Sequence, residues 1–236
     1  MREAGANGLW FGEDGQLYLC NHGERAVQRL QLDSLERETL VRDYEGQRFN
    51  SPNDLVQASD GTIYFTDPPY GLTGLDASPL KEMTANGVYR LAQNGRCDRV
   101  FDHLTFPNGI ALSPDERWLY VAQSDPEAPH IYRAPVQGGR PSGPLEIWFD
   151  ASHFLAAGDP GLPDGMCVSE DGLVFATGPG GVFVLSPEGV LLARILTGRA
   201  TANCAFGGSD GDWLYMTAHD RLLRLRTNTR GLQWRG

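Results

Sequence analysis

Apolar and polar positions along this chain group into five windows of one design: a short strand-like run, a polar turn, and a second run rich in Leu, Ile, Val, Phe and Tyr. They are NGLWFGEDGQLYLC from Asn7, NDLVQASDGTIYFT from Asn53, NGIALSPDERWLYVA from Asn108, DGMCVSEDGLVFAT from Asp164 and NCAFGGSDGDWLYMT from Asn203. Each reads as a β-hairpin whose turn is built from Asp with Gly, Ser or Pro. No window sustains an apolar period of 3.6, which disfavours a helical solenoid. The turn aspartates, Asp14, Asp60, Asp115, Asp171 and Asp210, recur every 39 to 56 residues. That interval is near the length of a four-stranded propeller blade and exceeds an ankyrin or leucine-rich repeat. The expected fold class is therefore all-β, a β-propeller of four-stranded blades with about five blade units.

Outer strands are expected between the hairpins: AVQRLQLDS and ETLVRDY, then GVYRLAQNG and DRVFDHL, HIYRAPV and LEIWFDA, GVFVLSPEG and VLLARILTG. The fifth unit offers RLLRLRT and then a short tail without a fourth strand of normal length. The units follow one another without linkers, so residues 1–236 are expected to form a single domain. A formal charge of −10 disfavours a nucleic-acid groove, which needs clustered Lys and Arg, and suits a mouth that attracts cations. No apolar run approaches the ~20 residues of a membrane-spanning helix, so no membrane partner is expected. The cysteines Cys20, Cys97, Cys167 and Cys204 lack metal-knuckle spacing and read as small packed hydrophobes. Nothing in Met1 to Gly8 resembles a signal peptide, and a cytoplasmic location is the expectation.

The candidate chemistry lies seven residues before each turn aspartate, where Asn7, Asn53, Asn108, Asp164 and Asn203 stand. Amide and carboxylate side chains are hard oxygen donors, and recurrence at a fixed offset is how successive hairpins aim several of them at one place. If the first strand starts at that place, the second strand returns to it, so its end residues His22, Asp67 and Ser124 should crown the same mouth. Each first-position residue also has a plainer reading as a strand cap, because Asn and Asp satisfy free backbone groups. Asp164 is the most informative of the five, since it alone places an anion where the others carry an amide. Asn7 and Asn203 read as residues lining the mouth, and His22 is the one histidine placed there.

The segments NSPNDLVQASDGTIYFTDPPYG, FPNGIALSPDERWLYVAQSD, GLPDGMCVSEDG and TANCAFGG together resemble the calcium-dependent six-bladed propellers of the gluconolactonase and regucalcin family. The resemblance covers nearly the whole chain. It implies that Asn108 and Asp164 are protein ligands of a divalent ion, with Ca²⁺ first and Zn²⁺, Mg²⁺ or Mn²⁺ as alternatives. It also implies that Asn53, with Asp54 beside it, touches substrate or a metal-bound water. The family's Glu in an EGP motif that opens its first blade has no counterpart here, and MREAGANGL resembles the join between the first and second blades. On that reading the chain starts one blade late, as a fragment, an incorrect start or a real shortened variant, and its five units would leave an open ring or a tightened five-bladed closure.

The implied activity is hydrolysis of a sugar lactone such as glucono-1,5-lactone to its aldonic acid. Asp164 would take the proton from a metal-oriented water, while Asn53 and Asp54 would hold lactone hydroxyls. No GxSxG elbow offers a serine nucleophile. The alternatives are a propeller that binds calcium or a small ligand without turnover, a lactonase of aryl or acyl lactones or of an organophosphate ester, and an inactive shortened member. The expected partner is a small lactone, and the expected state a monomer or homodimer.

Overall fold

The structure is a computed structural model, and it describes residues 5–232. The chain is all-β, of β-propeller class, with five successive small antiparallel sheets. Its contacts divide it into two units, residues 1–110 and 111–236.

In the first unit, β1 (Ala6–Phe11), β2 (Leu17–Asn21), β3 (Ala26–Leu30) and β4 (Arg37–Val41) form one four-stranded meander. A two-stranded ribbon, β5 (Asp43–Tyr44) and β6 (Gln47–Arg48), leads to the second sheet. That sheet contains β7 (Leu55–Gln57), β8 (Ile63–Asp67), β9 (Asn86–Leu91) and β10 (Cys97–Leu104). The division between the units falls within β11 (Pro107–Leu112), the first strand of the third sheet. The rest of that sheet is β12 (Trp118–Gln123), β13 (His130–Gln137), the short β14 (Arg140–Pro141) and β15 (Glu146–Asp150), the last two both paired to β13. A one-turn helix, α1 (Ser152–Ala156), precedes the fourth sheet of β16 (Met166–Val168), β17 (Val174–Gly178), β18 (Gly181–Leu185) and β19 (Leu191–Leu196). The fifth sheet has three strands, β20 (Thr201–Gly207), β21 (Trp213–Ala218) and β22 (Arg221–Arg226), in keeping with the missing fourth strand.

The expected hairpins and outer strands are all present. Three of the turn aspartates close their turns alike: Asp14, Asp60 and Asp115 each accept the backbone N–H two residues on, from Gln16, Thr62 and Arg117. This Asx arrangement explains the recurrence of Asp there. Gly15 and Gly61 follow with φ of 73° and 77°, a conformation that costs glycine little.

Each unit has its own core. Tyr18, Val27, Phe49, Phe65 and Tyr89 pack together in the first, and Phe49 meets Phe65 edge-on with ring centres 5.2 Å apart. In the second, Tyr120, Ile131, Val174, Phe183 and Leu185 form one cluster, and Phe175, Cys204, Leu214 and Met216 another. The alternating inward faces of neighbouring sheets supply these residues, which is why the strands read as apolar in register.

Candidate functional site

In the first unit the strand entrances are distorted in a way that sets the site. The β1–β2 register shifts between Ala6 and Leu9, across Asn7 and Gly8. At the next entrance Asn53 N–H donates to the Thr66 carbonyl at 2.8 Å, and Thr66 N–H donates to the Asp54 carbonyl at 3.0 Å, so two residues face one. Such a bulge re-aims a side chain that regular pleating would send to one sheet face.

The result is a directional run of amides. Asn7 Nδ2 donates to Asn53 Oδ1 in a short hydrogen bond, and Asn53 Nδ2 donates to Asn108 Oδ1 at 2.6 Å. Asn53 and Asn108 are buried, whereas Asn7 is exposed at the start of the run. The Asn108 backbone is held as well, its carbonyl accepting the Thr66 hydroxyl at 2.7 Å. Three side chains expected to share a place therefore do so.

Two carboxylates beside this run serve the backbone. Asp54 accepts Leu55 N–H at 3.0 Å on one oxygen and Ile110 N–H at 3.3 Å on the other, which ties β7 to β11. Asp67 is fully buried, and its oxygens accept Asn50 N–H at 2.8 Å and Ser51 N–H at 2.7 Å. Burial pushes both groups up to about 7, against the opposing pull of those N–H donors. Asp67 thus pins the segment that leads into Asn53. Asp54 likewise clamps strands, so its place beside the amide run is a bracing one.

His22 lies at the end of β2 with its pKa lowered, first by burial and with Asn53 pulling the other way. Its Nε2 is buried and has no hydrogen-bond partner among the described residues. A Cβ on Gly71 would lie 2.8 Å from His22 Cβ, so the loop after β8 closes on the imidazole only because residue 71 has no side chain. That loop is held by Gly71 N–H donating to Ser51 Oγ at 2.8 Å and by Ser51 Oγ donating to the Pro68 carbonyl at 2.6 Å. Tyr70 stacks on Phe106 at 5.9 Å with the rings 12° apart.

In the second unit Asp164 is half-buried just ahead of β16. The following residue anchors it: Gly165 N–H donates to the Ala202 carbonyl at 2.9 Å, while its own carbonyl accepts Thr177 N–H at 3.0 Å and Thr177 Oγ1 at 2.9 Å. Ser124 donates its hydroxyl to the Pro163 carbonyl, next to Asp164. Asn203 departs from the expected series. It is exposed, and its Oδ1 accepts the N–H of Cys204 at 2.8 Å, as Asp54 Oδ1 accepts that of Leu55. In the first unit Gly8 donates to the carbonyl of Asn53, and in the second Gly165 donates to that of Ala202. The register shift between Thr201 and Asn203 moves the fifth entrance by one residue, placing Asn203 where Asp54 stands and Ala202 where Asn53 stands.

Sequence reasoning passed over Thr66, Thr177 and Ser51, whose hydroxyls fasten the entrances. A threonine at the same place in the second strands, Thr66 in YFTD and Thr177 in FATG, was the available signal. Among the described residues no group of three or more His, Cys, Asp or Glu is gathered for a metal. The donors of the amide run are neutral, all-oxygen and hard, a set that suits an alkaline-earth cation better than a thiophilic one.

Residues 1–220 match the family described as the SMP-30/gluconolactonase/LRE-like region. A gluconolactonase of Zymomonas mobilis is 42% identical over 98% of this chain and 65% of its own length. A solved gluconolactonase structure from Xanthomonas campestris is 34% identical with a TM-score of 0.81, covering 94% of this chain and 72% of that one. The calcium-binding regucalcin of Agrobacterium tumefaciens is 19% identical with a TM-score of 0.58, covering 98% of this chain and 92% of that one, a likeness of fold alone. The chain spans just under two-thirds of the length of the Zymomonas protein.

Proposed function

Because the chain belongs to the SMP-30/gluconolactonase/LRE-like family, we propose that it hydrolyses a sugar lactone of the glucono-1,5-lactone type to the aldonic acid. The observation that carries this reading is the run Asn7–Asn53–Asn108, amides aligned at strand entrances and passing from exposed Asn7 to buried Asn53 and Asn108. A polar row of that kind matches a polyhydroxylated ligand, since each amide can both donate and accept.

Asn53 is assigned to the lactone hydroxyls, with Asp54 holding its strand in place. Asp164 acts as base: it takes a proton from the attacking water as the water oxygen bonds to the ester carbon. The ring C–O bond then breaks, and the proton passes to the departing ring oxygen, which becomes a hydroxyl of the aldonic acid. Asn108 and Asp164 are the residues that would hold a divalent ion, Ca²⁺ first among the candidates, and when bound the ion would supply Lewis-acid polarisation of the ester carbonyl. A δ-lactone is a reactive ester, so this modest set suffices without a serine nucleophile.

The test is a pH-stat assay of glucono-1,5-lactone, before and after chelation and with Ca²⁺ restored. Turnover above the spontaneous rate that vanishes on chelation and returns with Ca²⁺ supports the proposal. A calcium-dependent rise in melting temperature without turnover would replace it with a binding propeller.

A further inference from the structure

We propose that Cys167 and Cys204 are an oxidation site that forms a disulfide between the fourth and fifth sheets. Their sulfur atoms lie 3.8 Å apart, one on β16 and one on β20. Both belong to the second unit, and the backbone between the two strands is already fastened close by through the Gly165–Ala202 hydrogen bond at 2.9 Å. A disulfide bond is ~2.05 Å long, so the two sulfurs have roughly 1.8 Å left to close. Cys204 is 3% exposed and donates its thiol to the Phe175 carbonyl at 3.2 Å, within the cluster of Val182, Leu214 and Met216. Cys167 is the more exposed partner and is the thiol an oxidant meets first.

The oxidant is a hydroperoxide, a small oxidant suited to a thiol on a half-buried residue. The Cys167 thiol gives up its proton, its sulfur attacks one peroxide oxygen, the O–O bond breaks, and the leaving hydroxide takes up that proton, so that a sulfenic acid and water form. The Cys204 sulfur then attacks the Cys167 sulfur, the S–O bond breaks, and a second water leaves with the remaining thiol proton. Two thiols and one hydrogen peroxide thus become one disulfide and two waters. Burial raises the Cys167 thiol well above its ordinary value, so the reaction is slow at neutral pH and quickens as pH rises.

The stapled loop reaches from the fourth sheet to the fifth, and closing it restricts the unfolded chain. Asp164 lies three residues before Cys167, so the staple also stiffens the entrance that carries the proposed base.

The experiment treats the full chain with hydrogen peroxide at pH 8, blocks remaining thiols, and maps peptides without reduction. The expected result is a Cys167–Cys204 cross-linked peptide, an intact mass lower by about 2 Da than the reduced protein, and a melting temperature higher by about 5–10 °C that falls back on reduction. Cys167→Ala and Cys204→Ala should each abolish the mass change and the thermal shift, while Cys97→Ala keeps both. Recovery of Cys167 and Cys204 as separately blocked thiols, or as sulfinic acids without a cross-link, would overturn the proposal. The peptide map of the unsubstituted chain decides even where an alanine variant folds poorly.

Discussion

The entrances of the first two sheets and those of the last two were built to the same spacing, yet they behave differently. At the first pair Asn7 and Asn53 join Asn108 in one hydrogen-bonded run, and Gly8 is pressed against backbone, with the Asn53 carbonyl and Asp54 Cα each 2.6 Å from where its Cβ would be. At the last pair an Asp, Asp164, stands in place of the amide, Asn203 folds back on its own backbone, and the atoms nearest a Cβ on Gly165 belong to the Asn203 side chain. The lesson is that a fixed sequence offset specifies a position along a hairpin, while the register of the strand's first residues decides where the side chain goes.

The largest expected break in this contrast comes from Asn53→Ala. It deletes both links of the amide run, including the buried one to Asn108, at about 1–3 kcal/mol of stability, and turnover should fall about 100-fold if Asn53 positions the lactone. Initial rates on the lactone, with a urea titration of the same samples, measure both. Asn203→Ala removes only an exposed local hydrogen bond, so its rate and stability should stay near those of the parent.

Glycine replacement sharpens the same comparison. Gly8→Ala meets backbone that cannot swing aside and should cost about 2–3 kcal/mol. Gly165→Ala meets an exposed amide at the end of a rotatable side chain and should cost roughly 1 kcal/mol or less. Equal losses in paired denaturation curves would mean that the two entrances are packed alike after all.

The hairpins, their order and most outer strands were legible because strand alternation and Asp-centred turns repeat openly in the chain. The register shift at Thr201–Asn203 was not, since the seven-residue step from Asn203 to Asp210 survives it unchanged. Helix α1 is a single turn, too short for a 3.6-residue period to declare itself. Asp67 reads as a mouth residue from its place at a strand end, and Asp54 as a substrate contact from the family resemblance; that their carboxylates also accept neighbouring backbone N–H groups was not legible, since it depends on strands distant in sequence. Asn53 and Asn108 were legible from the seven-residue offset alone, and the structure adds the hydrogen bond that joins them.

A further prediction concerns pH. Asp54 and Asp67 are raised to about 7 from 3.8, so the folded state favours their protonated forms. Their contribution to stability is complete below the unfolded value and is lost as pH rises through about 7, the unfolded chain having released those protons earlier. The urea midpoint should drift downward between pH 4 and 7.5, and carboxyl ¹³C shifts of these two residues should titrate near the upper end. In the second unit Asp150 is lowered instead, held down first by the Ser152 side chain, and should titrate below the ordinary range.

The central claim is that the strand entrances carry lactone hydrolysis, with Asp164 as its base, and Asp164→Asn tests it most directly. The exchange keeps size and shape, removes the charge, and leaves the Gly165 hydrogen bonds that anchor the strand. We expect a cooperatively melting protein whose turnover of glucono-1,5-lactone drops at least about 100-fold toward the spontaneous rate. Turnover equal to that of the parent, at saturating Ca²⁺ and neutral pH, would contradict the account.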